Sequence, residues 1–101
     1  MPRPMTVLVT YRPRKGKEAT FSRLLARHWP ALKSAGLVAP GRPRLFRARD
    51  KRTGRRYYVE LFAWRDARAS DRAHRMPEVL AVWGPMEPLL ESLEIAVVEP
   101  F

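Results

Sequence analysis

Apolar positions along the chain alternate in some stretches and recur at helical spacing in others, and the switches between the two periods predict the elements. Met5 to Tyr11 (MTVLVTY) is β-branched and apolar and predicts a first strand, which Pro13 and Gly16 end. From Lys17 to Ala35, Phe21, Leu24, Leu25, Trp29 and Leu32 fall on one helical stripe. Pro30 lies inside that stripe and predicts a kink or a restarted turn, and Gly36 closes the helix. Leu37 to Pro43 reads as a loop, and Arg44 to Arg49 (RLFRAR) as a second, strongly basic strand. Asp50 to Gly54 predicts a hairpin connection.

The chain is organised around the stretch from Tyr57 to Trp83 (YYVELFAWRDARASDRAHRMPEVLAVW). Tyr57 to Trp64 alternates as a third strand. One face carries Tyr57, Val59, Leu61 and Ala63, and the other Tyr58, Glu60, Phe62 and Trp64. Asp66 is placed to cap a helix running towards Arg75. Pro77 suits the first position of a further helical segment through Val79, Leu80, Trp83 and Met86, which Gly84, Pro85 and Pro88 bend or interrupt. Leu93 to Val98 predicts a last strand. The order β–α–β–β–α–β is the ferredoxin-like α+β pattern, an antiparallel sheet with helices on one face. Residues 1–101 are expected to form one such domain. Both faces of the third strand are fairly apolar, so the helix-free face needs a cover, and a second copy in a homodimer is the simplest one.

Charge adds an asymmetry. The formal net charge is +10, but residues 1–56 hold sixteen Lys/Arg against Glu18 and Asp50 (+14), and residues 57–101 hold four Arg against eight acids (−4). A basic half suits an anionic partner, or the acidic half of another copy. The arginines of residues 42–56 are expected to form a solvated face or subunit contact. Nucleic acid is not the expected partner, because no recognised binding signature accompanies them. Cysteine is absent, which removes disulfides and thiolate chemistry, and no metal-ligand spacing is present. Asn and Gln are absent as well. No apolar run reaches the ~20 residues of a membrane span. The expectation is a soluble, cytoplasmic protein without a membrane partner.

Candidate chemistry is sparse. His74 stands between Arg72 and Arg75 and is either a surface residue or a proton acceptor. His28, beside Trp29 and Pro30, either points into a cavity or bonds a carbonyl that Pro30 frees. Glu60, on an apolar strand face, needs a partner. Arg44 or Arg47 across the hairpin is one option, and a general-base role is the other. Trp29, Trp64 and Trp83 are either core or walls for a planar ligand.

The words YYVELFAW and AHRMPEVLAVWGPM resemble those of the dimeric α+β barrel superfamily, and within it the antibiotic-biosynthesis monooxygenase-like domains. HWPALKSAGL, from His28 to Leu37, is similar to a first-helix ending in bacterial relatives. The resemblance implies a dimeric barrel and a small apolar pocket. It further implies, where such domains are enzymes, cofactor-independent oxygenation of a phenol or quinol. His74 would then be the catalytic residue. Trp64, Trp83, Glu60, Tyr11, His28 and Trp29 would bind the substrate, with no metal. A haem-degrading branch places a strand-end Trp about ten positions before a helical His, as Trp64 and His74 stand here, so haem is the alternative ligand the resemblance implies. Both branches use an Asn. This chain has none, and Thr10 or Tyr11 would stand in.

Overall fold

The computed structural model describes residues 3–101. Four strands, β1 (Met5–Pro13), β2 (Arg44–Arg49), β3 (Arg56–Trp64) and β4 (Leu90–Val97), form one sheet in the order β2-β3-β1-β4. Each neighbouring pair is antiparallel. The helices are α1 (Glu18–Ser34), α2 (Ala69–Ala73) and α3 (Pro77–Met86). This is the ferredoxin-like α+β fold, with the second helical region divided in two.

The register sorts side chains by face. Val7, Val9 and Tyr11 of β1 stand opposite Phe62, Glu60 and Tyr58 of β3. All six are buried, on the face that also meets the buried Phe21, Leu25 and Leu32 of α1 and Val79, Val82 and Met86 of α3. The other face presents Leu8, Val59, Leu61 and Ala63, all half-buried, without a helix over them.

Local chemistry sets the boundaries. Gly36 takes φ 72° just past α1. Its N–H bonds to the Lys33 carbonyl and that of Leu37 to the Leu32 carbonyl, which satisfies the last turn of the helix. In the hairpin, Gly54 takes φ 75°. The Asp50 carboxylate there accepts the N–H groups of Thr53 and Arg52, which hold its pKa below the usual carboxylate range.

Three expectations need correction. Pro30 does not restart the helix in a new turn: α1 runs through it to Ser34, and Leu25, His28 and Leu32 are buried on either side of it. The helix expected from Asp66 to Arg75 is only the five residues of α2, and Asp66 is not its cap. The Asp66 carboxylate instead accepts the Arg68 N–H in the turn ahead of it. Leu37 to Pro43 is partly tied down. Ala39 donates to the Ala63 carbonyl, Arg65 donates to that of Leu37, and Val38 bridges Trp64. Pro77 does open α3, and Pro88 falls in a 3₁₀ turn, Glu87–Leu89, that leads into β4.

Candidate active site

Glu60 lies in the middle of β3 with no exposed surface. Its neighbours across the sheet are Val9 and Leu45, neither of which can pair with a carboxylate. The expected ion pair with Arg44 or Arg47 does not form. Arg44 stands opposite Leu61, whose side chain is on the other face, and Arg47, diagonal to Glu60 on its own face, stays exposed. Glu60 is satisfied instead by groups from β1 and α1. The Tyr11 hydroxyl donates to Oε1 at 2.6 Å, and His28 Nδ1 lies 3.0 Å from Oε1 and 3.1 Å from Oε2. Tyr11 reaches Glu60 because it sits opposite Tyr58, two residues along the same face. His28 reaches it because it falls on the buried stripe of α1, between Leu25 and Leu32.

The network has one more member. Trp83 of α3 places Nε1 2.8 Å from His28 Nε2. An indole N–H only donates, so Nε2 must accept, and the His28 proton must sit on Nδ1 and point at Glu60. Glu60 therefore receives donors from both Tyr11 and His28 and is an acceptor-only carboxylate. His28 is a neutral imidazole. Burial first, then the Glu60 charge and the hydrogen bond to it, push the Tyr11 hydroxyl above the ordinary tyrosine range. Among the described residues no buried side-chain nitrogen or oxygen lacks a partner.

Tyr11, His28 and Trp83 also line a cavity of about 600 Å³, within the size range of small-molecule sites. Val7, Val9, Phe62 and Trp64 form its sheet wall, and α3 contributes Leu80 and Met86. Leu93, Ile95 and Val97 of β4 line its remaining side and are 49%, 64% and 68% exposed, so this wall is apolar and open. His74, just after α2, is exposed at the cavity and packs its ring on Trp83, with centroids 4.8 Å apart.

The candidate residues thus divide. Tyr11, His28, His74, Trp64 and Trp83 converge on the cavity. Glu60 stands behind Tyr11 and His28, outside the lining. Trp29 is half-buried against Phe62 and does not line the cavity. His28 bonds Glu60 and Trp83 rather than a carbonyl beside Pro30. Trp64 and His74 do not form a pair of their own. Trp83 is in ring contact with both, 6.5 Å from Trp64 and 4.8 Å from His74. Sequence reasoning placed Glu60, His28 and Tyr11 separately but missed their connection. The signal was present, since all three are polar groups on positions patterned as core. Among the described residues, no cluster of His, Cys, Asp and Glu could hold a metal ion, and no helix is long and apolar enough to cross a membrane.

This combination defines an α+β domain with an aromatic-lined cavity between its sheet and its helices. Its fold is that of the antibiotic-biosynthesis monooxygenase-like domains. A mutant of SnoaB, a cofactor-independent oxygenase from Streptomyces nogalater, superposes with a TM-score of 0.73 at 23% identity, covering 96% of this chain and 92% of that one. A protein from Pseudomonas aeruginosa superposes with a TM-score of 0.72 at 20% identity, covering 100% and 97%. An antibiotic biosynthesis monooxygenase superposes with a TM-score of 0.73 at 12% identity, covering 96% and 98%. No protein-family model matches the sequence, and no curated protein does.

Proposed function

We propose that the protein binds a small aromatic molecule in this cavity and acts as a cofactor-independent monooxygenase on a phenol or quinol. The observation that carries the reading is the joining of an apolar cavity to two imidazoles, His28 and His74, through Trp83. The oxygenase fold shared with SnoaB supports it. Trp64 and Trp83 supply faces for a planar ring among apolar walls. A neighbouring imidazole accepts the substrate hydroxyl proton, and the resulting electron-rich anion reduces oxygen. For a ring methylene, the C–H bonds break and a carbonyl forms. One oxygen atom enters the product and the other leaves as water, with all electrons supplied by the substrate.

His74 is the exposed candidate for this step. Oxygen consumption by the purified protein with a panel of phenols and quinols tests the reading. Uptake with at least one compound, and its loss in His74→Ala, is the expected result. No uptake with any of them rejects the activity, and undiminished turnover in His74→Ala rejects the assigned residue.

The same reading includes a homodimer joined through the helix-free sheet face. Leu8, Val59 and Leu61 form an apolar strip there. It is flanked by Arg12 over the Tyr57 ring at 4.5 Å and Arg44 over the Phe46 ring at 5.4 Å.

A further inference from the structure

His28 Nε2 is an acceptor of unusual kind. His28 is 2% exposed, its far nitrogen is anchored on a fully buried carboxylate, and the residue borders the cavity. Its lone pair is occupied by the Trp83 indole N–H. Trp83 differs from the other members of the network. It is only half-buried, and it belongs to the cavity wall. The next residue, Gly84, also lines the cavity, and open space lies where a Cβ would stand.

We infer that the Trp83 indole N–H is a placeholder on His28 Nε2, which a phenolic hydroxyl displaces, making His28 with Glu60 the proton acceptor for a neutral aryl alcohol. This rests on the proposed reading of the cavity and adds to it a second proton acceptor and the bond that a ligand hydroxyl displaces. A phenol O–H offers the same donor as the indole N–H and is the stronger acid, so it can replace it without leaving Nε2 unpaired. Proton transfer would break the O–H bond and form Nε2–H. It would leave a phenolate and an imidazolium, the latter already bonded to the Glu60 carboxylate at 3.0 Å. In the resting network that carboxylate has only neutral donors, so the arriving proton gains a counter-ion in place.

The selectivity follows from the same atoms. An aryl ether has no proton to offer, so Trp83 keeps its bond and the ether gains only apolar contact. An aryl carboxylate brings a negative charge towards Glu60 and is disfavoured. Because Trp83 can return to Nε2 when the ligand lacks a donor, the discrimination is expected at about tenfold, below that of a site whose polar groups would be left unpaired.

The test is a comparison of 2-naphthol with its methyl ether, followed by the indole N–H resonances of the intact protein. The Trp83 signal is assigned by its absence from Trp83→Phe. The expected result is about tenfold tighter binding of naphthol, with a shift of the Trp83 indole resonance that the ether does not produce. The preference should persist in His74→Ala. Equal binding of both compounds with an unmoved Trp83 resonance overturns the inference while the cavity reading stands. Loss of the preference in His74→Ala overturns it in favour of His74. Binding of neither compound removes the cavity reading and this inference with it.

Discussion

Trp83 Nε1 stands 2.8 Å from His28 Nε2, and that one contact sets the protonation of the whole buried network. With Nε2 accepting, His28 carries its single proton on Nδ1 and donates to Glu60. Replacing Trp83 by Phe removes the donor but keeps a ring. His28 borders the cavity and Trp83 belongs to its wall, so water can reach the position that the indole vacates. The expected loss of stability is therefore small, about 1 kcal/mol by urea denaturation. Trp83→Ala also removes the ring packed against Trp64 and His74 and should lose about 3 kcal/mol.

Glu60→Gln tests the acceptor-only assignment. An amide oxygen at the Oε1 position can still accept from both Tyr11 and His28, but the NH₂ group then stands at Oε2, facing the His28 N–H. Its N–H groups are left without an acceptor at a residue that has no exposed surface. The expected cost is about 3 kcal/mol, measured as the shift of the urea midpoint at unchanged slope. A neutral Glu60 that donates a proton itself would predict a much smaller loss.

Tyr11→Phe separates the hydroxyl from the ring. The ring contact with Phe21, at 5.2 Å, is retained, and only the charge-assisted bond to Glu60 is lost. About 2 kcal/mol of stability should go with it at neutral pH. The pH dependence has a definite sign. The folded protein keeps the Tyr11 proton above the ordinary tyrosine value of about 10. The contribution is complete below that value, where tyrosine is neutral in both states. Above it the unfolded chain releases the proton and the folded chain does not, so stability declines as pH rises. Tyr11→Phe lacks this decline, and the gap between wild type and variant should stay constant up to a pH of about 9 and narrow as pH rises above about 10. A gap that stays constant throughout would show that the hydroxyl is not held by Glu60.

The fold was legible because its period changes are strong. The alternation of β3 put Tyr58, Glu60, Phe62 and Trp64 on one face, and all four are buried there. The site was legible only in pieces. Glu60, His28 and Tyr11 come from three elements, separated by 32 and 49 residues in the chain. Local patterning cannot pair groups that distant. The choice of Arg44 or Arg47 followed from treating the hairpin neighbour as the natural partner. The pleat turns Arg44 to the other face, and Arg47, on the face of Glu60, stays exposed at the edge strand. His28 interrupts the apolar stripe of α1, and a polar residue at a core position asks for a buried polar partner. Matching Glu60 to His28 on that ground was open to sequence reasoning. The role of Trp83 as donor was not, because α3 and α1 meet only through the tertiary fold.

His74 offers the contrast to His28. It is exposed, it meets the cavity, and its ring rests on Trp83. Removing it leaves no buried group without a partner. His74→Ala should therefore change stability by no more than about 0.5 kcal/mol. A large fall in melting temperature would place His74 among the structural residues. A loss of oxygen uptake at unchanged stability would assign it to the reaction.

The proposed dimer turns on the face that carries Leu8, Val59 and Leu61. These residues are half-buried by their strand neighbours alone, and Phe46 beside them is 46% exposed. A charge at Phe46 does little to a free surface but is strongly unfavourable in a closed apolar contact, where it must lose its water. Arg44 lies over the Phe46 ring and would then face the new carboxylate, which limits any damage within one chain. Phe46→Glu should accordingly leave helix content and folding cooperativity unchanged while shifting sedimentation from two chains to one. Wild-type protein that sediments as a single chain across micromolar concentrations rejects the dimer. A Phe46→Glu protein that stays dimeric moves the interface elsewhere, and the open stripe of Leu93, Ile95 and Val97 on β4 is then the surface to probe, because a partner seated there would also close the cavity.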